Sequence, residues 1–143
     1  MEINVNTALY GIIGAPLRHT LSPAVHNPAF RACGIDAVYL AFETLDPFTC
    51  LKAAKVLPIK GLSVTIPYKS VIVDHLDFVE PMAAEIGAVN TVVNREGKLH
   101  GYNTDAPAAI EALENIIKPQ KTNCLVLGAG GAARALGCAL KGD

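Results

Sequence analysis

The fold is decided by residues 37–66, AVYLAFETLDPFTCLKAAKVLPIKGLSVTI, in which two apolar segments flank a helical one. Residues 37–42 and 61–66 have the length and composition of buried strands. Between them, Asp46 and Pro47 form the favoured pair for starting a helix, and a later proline ends it. Two strands connected by a helix and two short loops are predicted to pair in parallel, with the helix as the crossover.

The segment upstream extends the same pattern. Residues 9–14, LYGIIG, form a third apolar run closed by glycine. Ser22 followed by Pro23 predicts a helix that begins with a serine N-cap and ends at Gly34. The order β-α-β-α-β predicts an α/β fold with a mainly parallel sheet.

Downstream, the pattern predicts a different arrangement, and the turn at Glu96-Gly97 indicates an antiparallel strand pair. The predicted elements are short helices at 70–77 and 81–86, paired strands at 88–95 and 98–102, a helix at 104–117 and a strand at 123–127. The pattern thereby predicts one α/β domain at 1–103, a connecting helix at 104–119 and the start of a second domain at 120–143.

Composition restricts the class of protein. Hydrophobic residues make up 51% of the 143 residues and charged residues 17%, which predicts a folded globular chain. The net charge of −1, with dispersed lysines and arginines, argues against nucleic-acid binding. The four cysteines form no C-x-x-C pair, and no signal peptide or long apolar run is visible, so a cytoplasmic protein is expected.

A glycine-rich stretch, GAGGAA at 128–133, follows the last predicted strand. Gly128, Gly130 and Ala133 fit the G-x-G-x-x-G/A fingerprint of dinucleotide-binding folds, although small residues that pack a helix on a strand would give the same pattern. The residue that separates NAD from NADP would lie beyond Asp143. The predicted cofactor-binding residues are Gly128, Ala129, Gly130, Gly131, Ala132 and Ala133.

Three polar residues follow or adjoin strand ends. Lys69 comes after the strand that ends in SVTI, Asp105 follows the strand at 98–102, and Asn90 lies on the strand at 88–95 that pairs with it. Ligands of parallel α/β sheets bind at the carboxyl edge, where a lysine could give a proton to a ketone and a carboxylate could orient it. The alternatives are a solvated lysine, a helix N-cap at Thr104 or Asp105, and a turn asparagine.

Two hydroxyls, those of Thr20 and Ser22, lie next to the start of the first helix. A helix N-terminus with hydroxyl donors can bind a carboxylate, although Ser22 as a simple N-cap explains part of the pattern. His19 and His26 lack the spacing of metal ligands with any third residue, so no metal site is predicted.

Six motifs in order make the chain similar to shikimate dehydrogenase over residues 10–140. The motifs are YGIIGAP, HTLSPAVHN, SVTIPYK, GAVNTV, GYNTD and GAGGAARA. The chain differs from the usual pattern of the family at three positions, Thr20, Ser63 and Ala106, where serine, asparagine and glycine are common.

The resemblance implies NADPH-linked, reversible reduction of 3-dehydroshikimate to shikimate in the biosynthesis of chorismate and the aromatic amino acids. It implies Lys69 and Asp105 as the catalytic pair. The substrate-binding residues that it implies are Thr20, Ser22, Thr65, Lys69, Asn90 and Asp105. NADP is the expected cofactor, with NAD not excluded, and the expected partner is a small-molecule substrate.

Two alternative functions stay open. One is a quinate/shikimate dehydrogenase that prefers NAD; the other is a non-catalytic module that binds substrate or forms a homodimer through exposed apolar surface. Because the family has a complete nucleotide domain, the 143-residue chain is expected to be an incomplete and inactive fragment.

Overall fold

Six strands form one mixed sheet in the part of the chain that the computed structural model describes, residues 2–117 and 123–141. The strands are β1 (Ala8–Gly14), β2 (Ala37–Glu43), β3 (Ile59–Val64), β4 (Phe78–Val79), β5 (Thr91–Arg95) and β6 (Lys98–Tyr102). Their order across the sheet is β2-β1-β3-β5-β6-β4. The helices are α1 (Ser22–Ala32), α2 (Pro47–Val56), α3 (Pro81–Ile86), α4 (Asp105–Glu114) and α5 (Gly131–Leu140).

The strand directions confirm the predicted fold class. β1 lies between β2 and β3 and pairs with both in parallel, as the β-α-β-α-β pattern requires. β5 pairs antiparallel with β3 and with β6, and the register Arg95↔Lys98 places the hairpin turn at Glu96-Gly97. The carboxyl ends of β1, β3 and β6 therefore lie at one edge of the sheet.

Helices cover both faces of the sheet. Adjacent residues of a strand point to opposite faces, and apolar residues on both faces need cover. Ile13 belongs to the main core with Leu51 of α2 and with Val92 and Leu99 of the hairpin, all at most 2% exposed. Its neighbour Ile12 faces the other way, into a smaller cluster that α1 covers. The main core fixes β3 against the hairpin and thereby positions the carboxyl edge.

Three predicted elements differ from the structure. Residues 70–77 form turns and a 3-10 turn at Val73–His75 instead of a helix, and the missed strand β4 follows them, in parallel with β6. Residues 123–127 do not form the predicted strand, because they pair with neither edge of the sheet and leave Leu125 86% and Leu127 87% exposed. The helix predicted at 104–117 spans Asp105–Glu114, and the predicted connecting segment at 118–119 lies outside the described residues.

The helix starts are partly as predicted. The carboxylate of Asp46 caps α2 by accepting the backbone N–H of Phe48 at 3.1 Å and of Thr49 at 3.0 Å. The hydrogen bond from the Thr49 hydroxyl, together with these amides, lowers the pKa of Asp46. The predicted N-cap at Ser22 is wrong, because α1 is preceded by Leu21 at the N-cap position and Ser22 already lies in the first turn.

Candidate active site

Polar side chains from three segments of the sequence converge at the carboxyl edge of the sheet. Lys69 follows β3, Asn90 precedes β5, and Asp105 begins α4 directly after β6. All three side chains are half-buried. Each is in contact with surrounding protein and still has surface that a ligand can reach. The sequence-predicted group is thus brought together by the fold.

Lys69 and Asp105 form an ion pair. The Lys69 Nζ lies 2.5 Å from the Asp105 Oδ2, and the two side chains are 18% and 29% exposed. The backbone N–H of Val89 donates to the Lys69 carbonyl at 2.7 Å, which ties the lysine to the segment that carries Asn90. A hydrogen-bonded, half-buried ammonium–carboxylate pair at the edge of a sheet can exchange a proton with a bound hydroxyl or ketone.

Asn90 completes the pair by holding the other oxygen of the carboxylate. Its Nδ2 donates to the Asp105 Oδ1 at 2.7 Å and to the Thr104 Oγ1 at 2.9 Å. Its Oδ1 accepts the Thr104 backbone N–H at 2.9 Å and the Thr91 hydroxyl at 2.9 Å. With both ends of the amide in use, the orientation of Asn90 is fixed, and so is the plane of the Asp105 carboxylate.

The start of α4 is capped by a residue that the sequence analysis did not single out. Thr104 occupies the N-cap position but makes no side-chain cap. Instead, the Asn103 Oδ1 accepts the backbone N–H groups of Asp105 at 3.0 Å and Ala106 at 3.3 Å. The alternative that Asp105 is itself the N-cap is therefore wrong, and its carboxylate is available to Lys69. An asparagine directly before a helix start is the signal that could have identified this cap.

The predicted hydroxyl pair lies together before and within the first turn of α1. The Thr20 hydroxyl donates to the Ser22 Oγ at 3.2 Å, and the Ser22 backbone N–H donates to the Thr20 Oγ1 at 3.3 Å. Both residues are half-buried. Two adjacent hydroxyls at a helix start suit an anionic group such as a carboxylate.

A third hydroxyl near this pair, that of Tyr39 on β2, was missed from the sequence. The Tyr39 hydroxyl donates to the Ser63 Oγ at 2.6 Å, and its ring stacks on His26 with centroids 4.3 Å apart. Burial raises the pKa of Tyr39, and its hydrogen bonds with the Ser63 and Ser22 hydroxyls offset part of that rise. Strand alternation places Tyr39 and Ser63 on the face that α1 covers, which is the signal that could have identified them.

Thr65 lies at the end of β3, in the turn that delivers Lys69. Its backbone N–H donates to the Ile13 carbonyl at 3.0 Å, and its carbonyl accepts the Tyr68 N–H at 2.9 Å. The side chain is half-buried. The turn is therefore held to β1, and Lys69 has a defined place relative to the sheet.

The glycine-rich stretch packs against the same site. Gly130 is the N-cap of α5, and a Cβ atom added at Gly131 would lie 3.4 Å from the Lys69 Cβ and 3.3 Å from the Ala88 Cβ. Arg134 donates a hydrogen bond to the Ser70 hydroxyl. Ala135 is fully buried in a cluster with small side chains of α4 and of the segment before β5. Gly131 and Ala135 therefore lie closely packed against neighbouring segments of the chain.

The amino end of this helix also fits a phosphate. Gly128 has a φ of +120°, and Gly128, Ala129, Gly130 and Ala132 are exposed, with nothing within 4 Å of a Cβ added at Gly130. A helix start with open glycine amides can approach a pyrophosphate closely. The residues present therefore fit the pyrophosphate of a dinucleotide.

The described residues include neither a group of metal-ligating side chains nor a helix that could span a membrane. Within residues 2–117 and 123–141, histidine, cysteine, aspartate and glutamate side chains form no group of three that could bind a metal ion. None of the helices in this part of the chain has the length and hydropathy needed to cross a membrane.

Comparison with known proteins identifies close relatives of the whole chain. A family model for the shikimate dehydrogenase substrate binding domain matches residues 12–92. The chain is 48% identical over 142 residues to shikimate dehydrogenase (NADP(+)) from Thermococcus kodakarensis, a match that covers 98% of this chain and 52% of that protein.

Solved structures agree with these relatives. The crystal structure of shikimate dehydrogenase from Aquifex aeolicus matches with a TM-score of 0.93 and 46% identity, over 97% of this chain and 53% of that one. The Thermus thermophilus enzyme in complex with NADP(H) and shikimate matches with a TM-score of 0.86 and 43% identity, over 93% and 51%. The chain spans about half the length of the curated relatives it matches.

Proposed function

The chain belongs to the shikimate dehydrogenase family, and from that premise we propose that it forms the substrate-binding half of an enzyme that interconverts 3-dehydroshikimate and shikimate with NADP. The observation that carries the proposal is the ion pair of Lys69 and Asp105, with Asn90 on the second carboxylate oxygen. An acid/base pair next to a helix start that fits a dinucleotide is what reduction of a ketone requires.

Lys69 acts as the acid in the direction of reduction. The cofactor, when bound, supplies a hydride to the carbonyl carbon. The Lys69 ammonium gives a proton to the carbonyl oxygen, which becomes the hydroxyl, and the lysine is left as a neutral amine. In the reverse direction the amine takes the hydroxyl proton. The Asp105 carboxylate, 2.5 Å from the ammonium, accepts one of its N–H groups and thereby orients the others.

The remaining predicted residues bind the substrate in this proposal. The Asp105 carboxylate offers an acceptor to the hydroxyl groups of shikimate, Asn90 offers the N–H group that a substrate hydroxyl takes over from the Thr104 hydroxyl, and Thr65 adds a hydroxyl at the end of β3. Thr20 and Ser22 bind the carboxylate of shikimate. The substrate therefore lies with its carboxylate at the start of α1 and its reacting carbon at Lys69.

The cofactor is assigned to the segment at 128–133. In the proposal the amides at the start of α5 hold the pyrophosphate of NADP, and the close contact of Gly131 with Lys69 brings the cofactor half to the acid/base pair. The division into a substrate domain at 1–103, a connecting helix at 104–119 and a cofactor segment at 120–143 is part of the same proposal. A cytoplasmic location and a homodimer stay predictions.

A chimera tests the proposal, because the relatives are about twice as long as this chain. Residues 1–143 are joined to the cofactor-binding half of the Aquifex aeolicus enzyme, whose matching half superposes with a TM-score of 0.93. We expect NADP-dependent oxidation of shikimate with a kcat on the order of 1 s⁻¹ or faster, the usual range for enzymes. The measurement is the absorbance of NADPH formed.

Each half assayed alone is the control, and neither should turn over shikimate. Quinate and NAD are assayed in parallel, and a preference for both would favour the quinate/shikimate alternative. A chimera that folds, as judged by circular dichroism, but oxidises neither compound would contradict the proposed function.

A further inference from the structure

Asn103 is the one buried amide side chain of the described residues, with 3% of its surface exposed. It lies between β6 and α4, next to the site but not aimed into it. The amide has a hydrogen-bond partner at both ends, and none of them is a side chain. Its contacts are therefore those of a residue that fixes backbone.

The oxygen of the amide fixes the residue that carries the carboxylate of the site. The Asn103 Oδ1 accepts the backbone N–H groups of Asp105 and Ala106, which are the first two of α4. These amides have no partner inside the helix. By holding them, Asn103 sets the position of the Asp105 Cα and hence of the carboxylate on Lys69.

The nitrogen of the amide joins this helix start to the segment before β5. The Asn103 Nδ2 donates to the Ala88 carbonyl at 2.9 Å. The next residue, Val89, donates its N–H to the Lys69 carbonyl, and Asn90 follows directly. The backbones that carry the three residues of the site are thus tied together around one buried amide.

Only an amide side chain can make this set of contacts. The oxygen must accept two N–H groups while the nitrogen donates to a carbonyl. Aspartate would cap the helix but would place an oxygen against the Ala88 carbonyl. Serine would supply one oxygen and no second polar atom at the required distance.

We propose that Asn103 is a positioning residue, which holds the Asp105 carboxylate at the Lys69 ammonium by tying the start of α4 to the segment before β5. The proposal rests on the proposed function, since it assigns Asn103 to the geometry of that same acid/base pair. Its effect on the substrate passes through Asp105.

The test is a double-mutant cycle on the 143-residue chain with Asn103→Ala, Asp105→Asn and the double variant. Calorimetry with shikimate measures affinity. We expect Asn103→Ala to weaken binding about tenfold in the parent, which corresponds to the loss of a helix cap. In the Asp105→Asn background the same change should weaken binding less than about twofold, because the residue through which it acts is already altered.

Amide hydrogen exchange provides a readout that does not depend on shikimate. Asn103→Ala should accelerate exchange at Asp105 and Ala106. Asn103→Ser retains an acceptor for these amides and should recover part of both the protection and the affinity. The serine variant also allows the same measurements if the alanine variant does not fold.

Asn94 offers a matched control. Its amide also joins backbone segments, since the Nδ2 donates to the Ile59 carbonyl at 2.9 Å and the Oδ1 accepts the Gly97 N–H at 2.8 Å. Asn94→Ala should lower the melting temperature without changing exchange at Asp105 or affinity for shikimate.

Equal losses of affinity in both backgrounds, or unchanged exchange at Asp105, would overturn the positioning role. Failure of the parent chain to bind shikimate would overturn the proposed function and the inference with it. That result is distinguishable, because it is seen before any variant is made.

Discussion

Lys69→Ala in the chimera will lower kcat for shikimate oxidation about 10³-fold, within the range that positioned acid–base groups contribute. This loss corresponds to about 4 kcal/mol in the activation free energy. The reason is the ion pair with Asp105. Among the described residues, the Lys69 ammonium is the one cation hydrogen-bonded to the Asp105 carboxylate. Affinity for shikimate should fall less than about tenfold, because Asn90, Asp105 and the hydroxyl pair remain.

Lys55 provides the control, since its Nζ also forms an ion pair, 2.8 Å from the Asp77 carboxylate, but away from the carboxyl edge. Lys55→Ala should leave kcat and KM unchanged. Steady-state kinetics of the two variants make the comparison. Near-normal turnover in Lys69→Ala, or an equal loss in Lys55→Ala, would refute the role assigned to Lys69.

The second large effect is expected for Asp105→Asn, which should weaken shikimate binding to the 143-residue chain by about 10- to 100-fold. This is the range for loss of a hydrogen bond to a charged group. The substitution keeps the size of the side chain, and the cap of α4 is unaffected because it is formed by Asn103. Titration calorimetry measures the change.

Asp77→Asn is the matched control for this substitution. Asp77 pairs with Lys55 and accepts the Leu99 N–H at 2.7 Å, and these contacts lower its pKa. We expect the control variant to lose stability but to bind shikimate as the parent does. Unchanged binding in Asp105→Asn would remove the carboxylate from the substrate site.

The sequence was sufficient to predict the features that depend on local patterns. Apolar runs at the positions of β1, β2 and β3, separated by helical stretches, predicted a parallel sheet, and Lys69 could be placed at a strand end from SVTIPYK alone. The pairing of Lys69 with Asp105 over 36 residues did not follow from spacing. It was expected because the resemblance to shikimate dehydrogenase implies these two residues as the catalytic pair.

The features that sequence reasoning missed depend on contacts between distant segments. β4 has two residues, too few for a periodic signal, and exists because it pairs with β6. The strand predicted at 123–127 has an apolar sequence but no neighbouring strand in the described residues. The sequence predicted Thr104 or Asp105 as the N-cap of α4 instead of Asn103, since all three residue types are suitable caps.

The measurement that tests the central claim most directly is titration of the 143-residue chain with shikimate, with binding followed by calorimetry. The account predicts saturable binding of one shikimate per chain. It also predicts that Asp105→Asn weakens this binding and that Asp77→Asn does not. Absence of binding by the folded parent chain, or equal binding by the parent and Asp105→Asn, would contradict the claim that this edge of the sheet is a shikimate site.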